Sequence, residues 1–254
     1  MKCGAAFNAA LLGDGSCKTW GIGEVGELGR VVRPCRGADG DYDKRAIVED
    51  HLTPNSMDLS GVDVADAFKT IGVGAYHLLA ATSQGLIATG LNNYGQLGDG
   101  TTNDAATPVV VDAFDGDALA VLDGGQHHSL ALCGDGDLYA WGRADYGQLG
   151  IGAKAGEGAG DFVAAPAKVR LPTKSLATVC SGSNHCLALT TAGAVYAWGY
   201  GDMNALGLGS ASDKFEPEKV SFAASLGDAK EIAVTQVAGG GQHSIVVASV
   251  KQFA

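Results

Sequence analysis

The chain has 254 residues, of which 39 are glycine and 6 proline, and its 17 Lys+Arg against 28 Asp+Glu give a formal net charge of −11. Glycine is about twice as frequent as its usual share of about 7%, so the composition differs from that of an average globular domain. A helix bundle is disfavoured because each interior glycine costs about 1 kcal/mol. The acidic balance excludes nucleic-acid binding driven by net charge, and no apolar run reaches the ~18 residues of a membrane span.

A weak copy of a recurring motif opens the chain, reading GAAFNAALLGDGSCKTWGIGEVGELG at 4–29. A polar segment of mixed charge follows at 31–64 and makes the first interval between motifs the longest. We interpret this segment as an insertion that forms a flexible surface loop. The alternative is a protrusion that contacts a partner, because long loops often carry function.

Further copies follow as GAYHLLAATSQGLIATGLNNYGQLG at 74–98, GQHHSLALCGDGDLYAWGRADYGQLG at 125–150, GSNHCLALTTAGAVYAWGYGDMNALG at 182–207 and a shortened GGQHSIVVASVKQFA at 240–254. Three columns recur in the same order: Gly-x-x-His, Trp-Gly and Gly-Gln-Leu-Gly. Their anchors are His77, His128, His185, His243, Trp20, Trp141, Trp198, Gly95, Gly98, Gly147 and Gly150. We predict structural roles for them, with each histidine hydrogen-bonded to backbone between strands and each Trp-Gly packed within a blade.

Each unit is predicted to contain about four short strands. In the third unit, runs at 129–132 and 138–141 flank a Cys-Gly-Asp-Gly turn and predict a hairpin. A loop and a proline then precede a short β-rich run, such as 168–171, and we expect the proline to begin that strand. The prolines are Pro54, Pro108, Pro166 and Pro217.

A strand-only unit near 50 residues cannot bury both faces of its sheet alone. Radial stacking of such units buries them, so we predict an all-β fold built of β-propeller blades. The whole chain, 1–254, is interpreted as a single repeat domain. Its units are about 3–71, 72–122, 123–179, 180–237 and a partial 238–254.

The three ordered columns closely resemble the repeat of the regulator of chromosome condensation family, and the resemblance covers almost the whole chain. It implies a β-propeller of seven blades. Seven units of about 51 residues need about 360 residues, whereas this sequence holds four complete units and a fifth partial one. Three explanations stay open: a fragment of a longer protein, which we favour, a partial open ring, or a closed small ring.

Catalytic chemistry is not evident in the sequence. It contains no Gly-Lys-Ser/Thr phosphate loop, no Gly-x-Ser-x-Gly and no His-Glu-x-x-His. The column histidines occur one per unit, and equivalent positions of a ring lie too far apart for one ion to contact them at ~2 Å. We therefore expect no enzyme site, no cofactor and no metal. His127 has no obvious partner and is expected to face solvent or a loop.

The family resemblance implies a non-catalytic role through a propeller face, so we predict a protein-interaction module. Candidate contacts lie between Trp-Gly and Gly-Gln-Leu-Gly, where the units differ: Asn92, Asn93, Tyr94, Arg143, Asp145, Tyr146, Tyr200, Asp202 and Met203. The alternative is guanine-nucleotide exchange on a Ras-like small GTPase such as Ran. A third family role, ultraviolet-B reception, is disfavoured because the only tryptophans are the three of the Trp-Gly column.

Charge and cysteine patterns add weaker expectations. The span 70–142 carries eight aspartates and, after Thr70, no Lys or Arg, which favours solvated loops or, alternatively, a face for a basic partner. The loop at 153–162 is a second Gly-rich candidate contact.

Six cysteines without a CxxC pair indicate reduced thiols of an intracellular protein, cytoplasmic or nuclear.

Overall fold

Short β-strands organise the chain in five successive groups. The structure, a computed structural model, describes residues 1–37, 40–63, 67–115, 118–152, 161–222 and 230–252. Residues 153–160 of the Gly-rich candidate loop lie outside these ranges. Within the described ranges, no helix combines the length and apolar character needed to cross a membrane.

The strands alternate with tight turns along the whole described chain. In order they are β1 (Lys2–Cys3), β2 (Phe7–Leu11), β3 (Cys17–Gly21), β4 (Asn55–Ser56), β5 (Thr70–Val73), β6 (His77–Ala81), β7 (Leu86–Gly90), β8 (Ala105–Val111), β9 (Leu119–Gly124), β10 (His128–Cys133), β11 (Leu138–Arg143), β12 (Phe162–Val169), β13 (Leu176–Ser181), β14 (His185–Thr190), β15 (Val195–Gly199), β16 (Lys214–Lys219), β17 (Lys230–Gly239) and β18 (Ser244–Gln252). Sheets 1 to 4 each contain four consecutive strands, paired antiparallel in chain order, and sheet 5 contains β17 and β18.

The sheets stack face to face in chain order, like blades. The first strand of each sheet contacts the first strand of the next, from β1 and β5 through to β13 and β17. Four apolar clusters fill the four junctions between consecutive sheets. The second strands β6, β10 and β14 are buried along their whole length because a sheet covers each of their faces. The prediction of an all-β fold of propeller blades, four complete and a fifth partial, is confirmed.

One backbone hydrogen bond crosses each junction beside the Gly-x-x-His loops. The N–H of Ala5 donates to Ala75 O at 2.9 Å, and the N–H of Ala75 donates to Gly125 O at 2.9 Å. The N–H groups of Gln126 and Ser183 continue this series to the next two sheets. Consecutive sheets are therefore joined through main chain as well as through apolar packing.

The prediction that proline begins the outer strand is wrong for three of the four repeats. Pro108, Pro166 and Pro217 lie inside β8, β12 and β16, and only Pro54 precedes its strand. Each of these strands pairs on one side only, with a register shift in the same stretch. An edge strand with a bulge tolerates a missing N–H, so the strand begins earlier than expected.

The segment at 31–64 is not a simple polar loop. Asp43 caps a helical turn, α1 (Lys44–Ala46), which continues as one π-helical turn over Ile47–Leu52. The buried His51 holds this turn against sheet 1, with Nε2 2.8 Å from Arg33 O and Nδ1 3.2 Å from Gly21 O. The insertion therefore packs on the first blade.

Tertiary folding brings cations to the acidic span that has none of its own. Asp123 accepts from Lys2 Nζ at 2.7 Å, and Asp137 is paired with both Lys168 and Lys174. Two of the eight aspartates are thus neutralised by residues more than 30 positions away in the sequence.

Candidate functional site

The predicted contact loops lie together at one end of the sheets. They follow the third strands β7, β11 and β15, and they meet the Gly-x-x-His loops that precede the second strands. The N–H of Leu91 donates to Tyr76 O, that of Arg143 to His127 O, and that of Tyr200 to Asn184 O, all at 2.8 to 2.9 Å. These bonds fix the two sets of loops to one another.

Aromatic rings and one guanidinium form a continuous surface across sheets 2, 3 and 4. The Tyr94 ring lies 5.0 Å from the His127 ring, and the Tyr146 ring lies 4.8 Å from the Tyr200 ring. The Arg143 guanidinium joins the two pairs, 5.0 Å from the centre of the Tyr94 ring and 5.1 Å from that of Tyr146. We call this set the aromatic strip; it comprises Tyr76, Tyr94, His127, Arg143, Tyr146 and Tyr200.

Buried glutamines of the Gly-Gln-Leu-Gly column hold the strip tyrosines from below. Gln96 Oε1 accepts from the N–H of Tyr94, and Gln148 Oε1 accepts from the N–H of Tyr146, both at 2.9 Å. Both glutamines are fully buried. The glutamine column is therefore needed to shape the loop that presents the tyrosine, which explains why Gln recurs there.

An ion pair sets the charge of the strip. Asp145 Oδ2 accepts from Arg143 Nε at 3.0 Å and Nη2 at 2.7 Å. This hydrogen bond raises the pKa of Arg143, so the guanidinium stays cationic between the two tyrosines. Burial and the nearby Arg143 charge lower the pKa of His127, so its imidazole is neutral at pH 7. The strip thus carries one cation, Arg143, whose charge is balanced by Asp145 beside the strip, and both side chains are largely covered.

The structure separates the nine predicted contact residues into three groups. Tyr94, Arg143, Asp145, Tyr146 and Tyr200 meet in or beside the strip, and the Tyr200 hydroxyl donates to Asp202 at 2.9 Å. Asn93, Asp202 and Met203 are exposed around it.

Asn92 is the exception, because it is fully buried and cannot contact a partner directly. Its Nδ2 donates to Asp99 and to Thr101 O, both at 3.1 Å, and its Oδ1 accepts from Leu97 N–H at 2.9 Å. Asn92 is therefore a loop-building residue.

Sequence reasoning missed two members of the strip. His127 does face loops, as expected, but it has partners there: its ring is half-buried between the stacked Tyr76 ring, 6.0 Å away, and the Tyr94 ring. Both missed residues precede the column histidine directly. That position differs from unit to unit just as the predicted loop does, and this variation was the available signal.

Three of the four column histidines, His77, His128 and His185, contact a side chain of the next sheet, whereas bonds to backbone between strands had been expected. His77 Nε2 lies 2.8 Å from Ser129 Oγ, whose hydroxyl donates back to Gln96 O at 2.7 Å. Because the hydroxyl proton is used there, the histidine nitrogen must be the donor. His128 and Cys186, and His185 and Ser244, repeat this arrangement at the next two junctions.

Burial keeps these three histidines neutral. It lowers the pKa of His77 and His128 to about 3 and that of His185 to about 4. We call the three histidines and their partners the histidine relay. It serves the junctions between sheets, since its side chains are buried or nearly so.

The first junction replaces both members of the relay with apolar residues. Phe7 stands in the histidine column and Leu78 in the serine column, and both are buried in the same apolar cluster. A polar pair exchanged as a pair leaves no buried donor unsatisfied. The departure of Phe7 from the repeat pattern is thus compensated across the junction.

Metal-binding geometry is not found in the described ranges, where no group of three or more His, Cys, Asp or Glu side chains is placed to hold an ion. The six cysteines, all of them described, are free thiols. Three of these thiols are buried, and burial raises the pKa of Cys17 to about 11.

The chain matches known families and structures over almost its full length. A family model described as RCC1-like domain matches residues 1–246. The ultraviolet-B receptor UVR8 of Arabidopsis thaliana is 30% identical, over 97% of this chain and 50% of the receptor. The regulator of chromosome condensation of Homo sapiens is 33% identical, over 95% of this chain and 55% of its own length. The chain thus spans about half the length of these relatives.

Solved structures show the same architecture. The crystal structure of Prp20p from Saccharomyces cerevisiae superposes with a TM-score of 0.78 at 26% identity, over 99% of this chain and 55% of that one. That structure was described together with the binding properties of Prp20p to Gsp1p and histones. Human WBSCR16, at 22% identity and a TM-score of 0.71, shares the fold.

Proposed function

Because the chain belongs to the RCC1-like domain family, we propose that it is a non-catalytic interaction module that binds a partner protein through the aromatic strip. The observation that carries this proposal is the continuity of the strip: tyrosine, histidine and arginine side chains from three sheets contact one another at one end of the blades. Free cysteines support an intracellular location for such a module, since oxidising compartments favour disulfides.

The residue types of the strip suit a protein partner. Tyrosine and arginine dominate the residues that carry most of the binding energy in protein interfaces. Here both are held in place before binding, by the buried Gln96 and Gln148 and by the Arg143–Asp145 ion pair. A surface that is already ordered loses less conformational entropy on binding.

The surroundings of the strip indicate the charge of the partner. Asp202 is exposed beside Tyr200, and the chain as a whole has a net charge of −11. An exposed carboxylate beside the tyrosines, on a chain with net negative charge, attracts a basic partner and accelerates its association. We therefore propose a partner whose contact surface carries an excess of Lys or Arg.

Alanine substitution of the two glutamine-supported tyrosines tests the proposal. The variant Tyr94→Ala/Tyr146→Ala should lose the partner proteins that the parent chain captures from a cell extract, by about tenfold or more for loss of two central tyrosines. The matched control is Tyr42→Ala in the insertion, because Tyr42 also stacks under an arginine, Arg36, at 4.7 Å, but lies outside the strip. Unchanged capture by the double variant, with normal folding, excludes the strip as the binding site.

Guanine-nucleotide exchange on a Ran-like small GTPase is the second candidate. It is favoured by the 33% identity to the human regulator of chromosome condensation and by the similarity to Prp20p, a protein described as binding Gsp1p. Release of labelled GDP from a panel of Ras-like GTPases, Ran included, tests it. Acceleration by the purified chain supports exchange activity, and no acceleration across the panel rules it out for this chain.

A further inference from the structure

The loop that follows β3 in sheet 1 corresponds to the strip loops but differs from them in residue type. Val25 stands where the other loops carry the strip tyrosines, and Glu27 stands where they carry the supporting glutamines. Glu27 still shapes its loop, because its Oε2 accepts from the N–H of Val25 at 3.0 Å. Sheet 1 therefore presents an aliphatic side chain and a carboxylate at the end of the blades where sheets 2 and 3 present tyrosine.

A cleft of about 330 Å³ opens where this loop meets sheet 2. Its walls are residues 23–26 of the loop, residues 30–32 and 34 where the insertion starts, and Asp104 and Ala106 at the entry to β8. Sheets 1 and 2 both contain four strands, so the cleft belongs to the junction of two complete blades.

The cleft adjoins the aromatic strip through one hydrogen bond. Asp104 Oδ1 accepts from the N–H of Asn92 at 2.7 Å, and Asn92 lies two residues before Tyr94. A partner that lies along the strip from sheet 4 to sheet 2 therefore meets this cleft next.

The walls of the cleft expose apolar side chains. Val31 is 78% exposed and Pro34 is also exposed, whereas Val25 and Val32 are half-buried. Single apolar side chains are ordinary on a protein surface, but here four of them line one concave site. Such a wall suits the aliphatic stem of a long charged side chain, whose head stays in contact with polar groups.

Carboxylates supply the polar groups at this site. Glu24 and Asp104 are exposed, and Glu27 is buried behind them. Burial raises the pKa of Glu27, and the nearby Glu24 and Asp104 carboxylates raise this pKa further. The three carboxylates thus lie within electrostatic reach of one another, which favours a cation at the mouth of the cleft.

Arg30 is the one cation among the described residues that line the cleft, and it is already engaged. Its Nη2 donates to Thr19 O at 3.2 Å and to Asp50 O at 3.0 Å, so the guanidinium is directed into sheet 1 and the insertion. The cleft therefore keeps an excess of negative charge.

We propose that this cleft receives an arginine side chain of the partner protein, with its aliphatic stem against the valines and its guanidinium at Glu24 and Asp104. A guanidinium matches carboxylate geometry and is more weakly hydrated than an ammonium, which favours arginine over lysine at a partly apolar site. The inference rests on the proposed function, because it takes the cleft as the sheet 1 end of the same interface. It also gives the insertion a part in binding, through Val31 and Val32.

Two short peptides test the cleft on the full chain in the absence of the partner. Acetyl-Gly-Arg-Gly-amide is titrated into the protein, and the methyl signals of Val25, Val31 and Val32 are followed by NMR. These signals should shift saturably, with a Kd on the order of 1 to 10 mM for a single side chain. The matched peptide with citrulline keeps the shape of arginine without its charge and should bind about fivefold more weakly or worse.

Two pairs of substitutions separate the site from the net charge of the chain. Glu24→Gln/Asp104→Asn keeps both side-chain shapes and should weaken binding of the arginine peptide about fivefold or more. Asp112→Asn/Asp115→Asn removes two charges from exposed residues beyond the other end of β8 and should leave the affinity within about twofold. The proposal is overturned by equal affinities for the two peptides, by equal weakening in the two variants, or by no saturable valine shift up to about 20 mM.

The peptide titration and the capture experiment fail separately. Capture that is lost in Tyr94→Ala/Tyr146→Ala, without binding of the arginine peptide, overturns the cleft and leaves the strip. Peptide binding in a chain whose capture does not depend on the two tyrosines refutes the strip, and with it the assignment of the cleft to that interface. Peptide binding together with weaker capture by Glu24→Gln/Asp104→Asn supports the assignment.

Discussion

Coupling across the second junction offers the most direct test of the histidine relay. His77 donates to Ser129 across 52 residues of sequence, and both side chains are fully buried. The first junction shows that the pair can be replaced as a unit, by Phe7 and Leu78. We therefore predict that His77→Phe and Ser129→Leu are each destabilising, and that the double variant is less destabilised than their sum.

The expected magnitudes come from the groups left unpaired. Ser129→Leu leaves the buried His77 N–H without an acceptor, which costs about 1–3 kcal/mol. His77→Phe removes one of the two hydrogen bonds of Ser129 and costs about 1 kcal/mol. The phenyl ring has room, because Phe7 lies over Gly4 as closely as His77 lies over Gly74: a Cβ on either glycine would be 2.2 or 2.1 Å from the ring. The double variant should recover about 1 kcal/mol or more of the summed loss.

Urea unfolding followed by circular dichroism measures the free energies of unfolding for the parent, both single variants and the double variant. Combining His77→Phe with Ser244→Ala, at another junction, is the control and should be additive. Additivity of His77→Phe and Ser129→Leu to within about 0.5 kcal/mol would refute the coupling, because residues in one hydrogen-bonded pair should interact.

Three further predictions concern pH, backbone and loop structure. The three histidines of the relay have folded-state pKa values of about 3 to 4, below the unfolded value of about 6.5, so the unfolded chain binds more protons in acid. The free energy of unfolding should therefore be intact above pH 6.5 and fall as the pH drops towards 4. His77→Phe should flatten that pH dependence in urea titrations at several pH values, and an unchanged slope would contradict the reasoning. Gly142→Ala should be several-fold more destabilising in thermal melts than Gly100→Ala. Both glycines have positive φ, 102° at Gly142 and 82° at Gly100, but only a Cβ on Gly142 would meet another atom, His127 O at 2.4 Å. Equal melting temperatures of the two variants would refute this. Asn92→Ala should lower stability by about 1–3 kcal/mol, because it leaves the buried N–H of Leu97 without its acceptor. Any loss of partner capture should be smaller than that of Tyr94→Ala, and the opposite order would restore Asn92 as a contact.

The repeat columns predicted the fold well because each column reports a local requirement. The Trp-Gly glycine illustrates this: φ is 118° at Gly21 and 101° at Gly199, and a side chain would collide with the carbonyl of the residue before the column histidine or phenylalanine. Strand and turn signals of this kind lie within a few residues of one another. The prediction that proline begins the outer strand was wrong for three repeats, because a proline is tolerated inside an edge strand and whether a strand lies at an edge depends on the sheet around it.

The candidate site was predicted in part. Variation between units identified Tyr94, Arg143 and Tyr146, which do meet at the strip. It also selected Asn92, because variation at a loop position does not tell an exposed side chain from one that builds the loop. The partners of His127 were missed because alternation along one strand carries no information about a tyrosine in the neighbouring blade.

The sequence by itself determined the repeating unit, the four-stranded blade, the family and the loops that meet at one end. It could do so because hydrophobic periodicity and turn residues depend on positions close together within each repeat. Only the tertiary structure decided which residues join across blades, as His77 joins Ser129 and Tyr146 joins Tyr200. These partners are 52 and 54 positions apart, so no local pattern pairs them. Their contacts exist because stacked blades bury one face against the next, and a polar group buried there without a partner costs free energy.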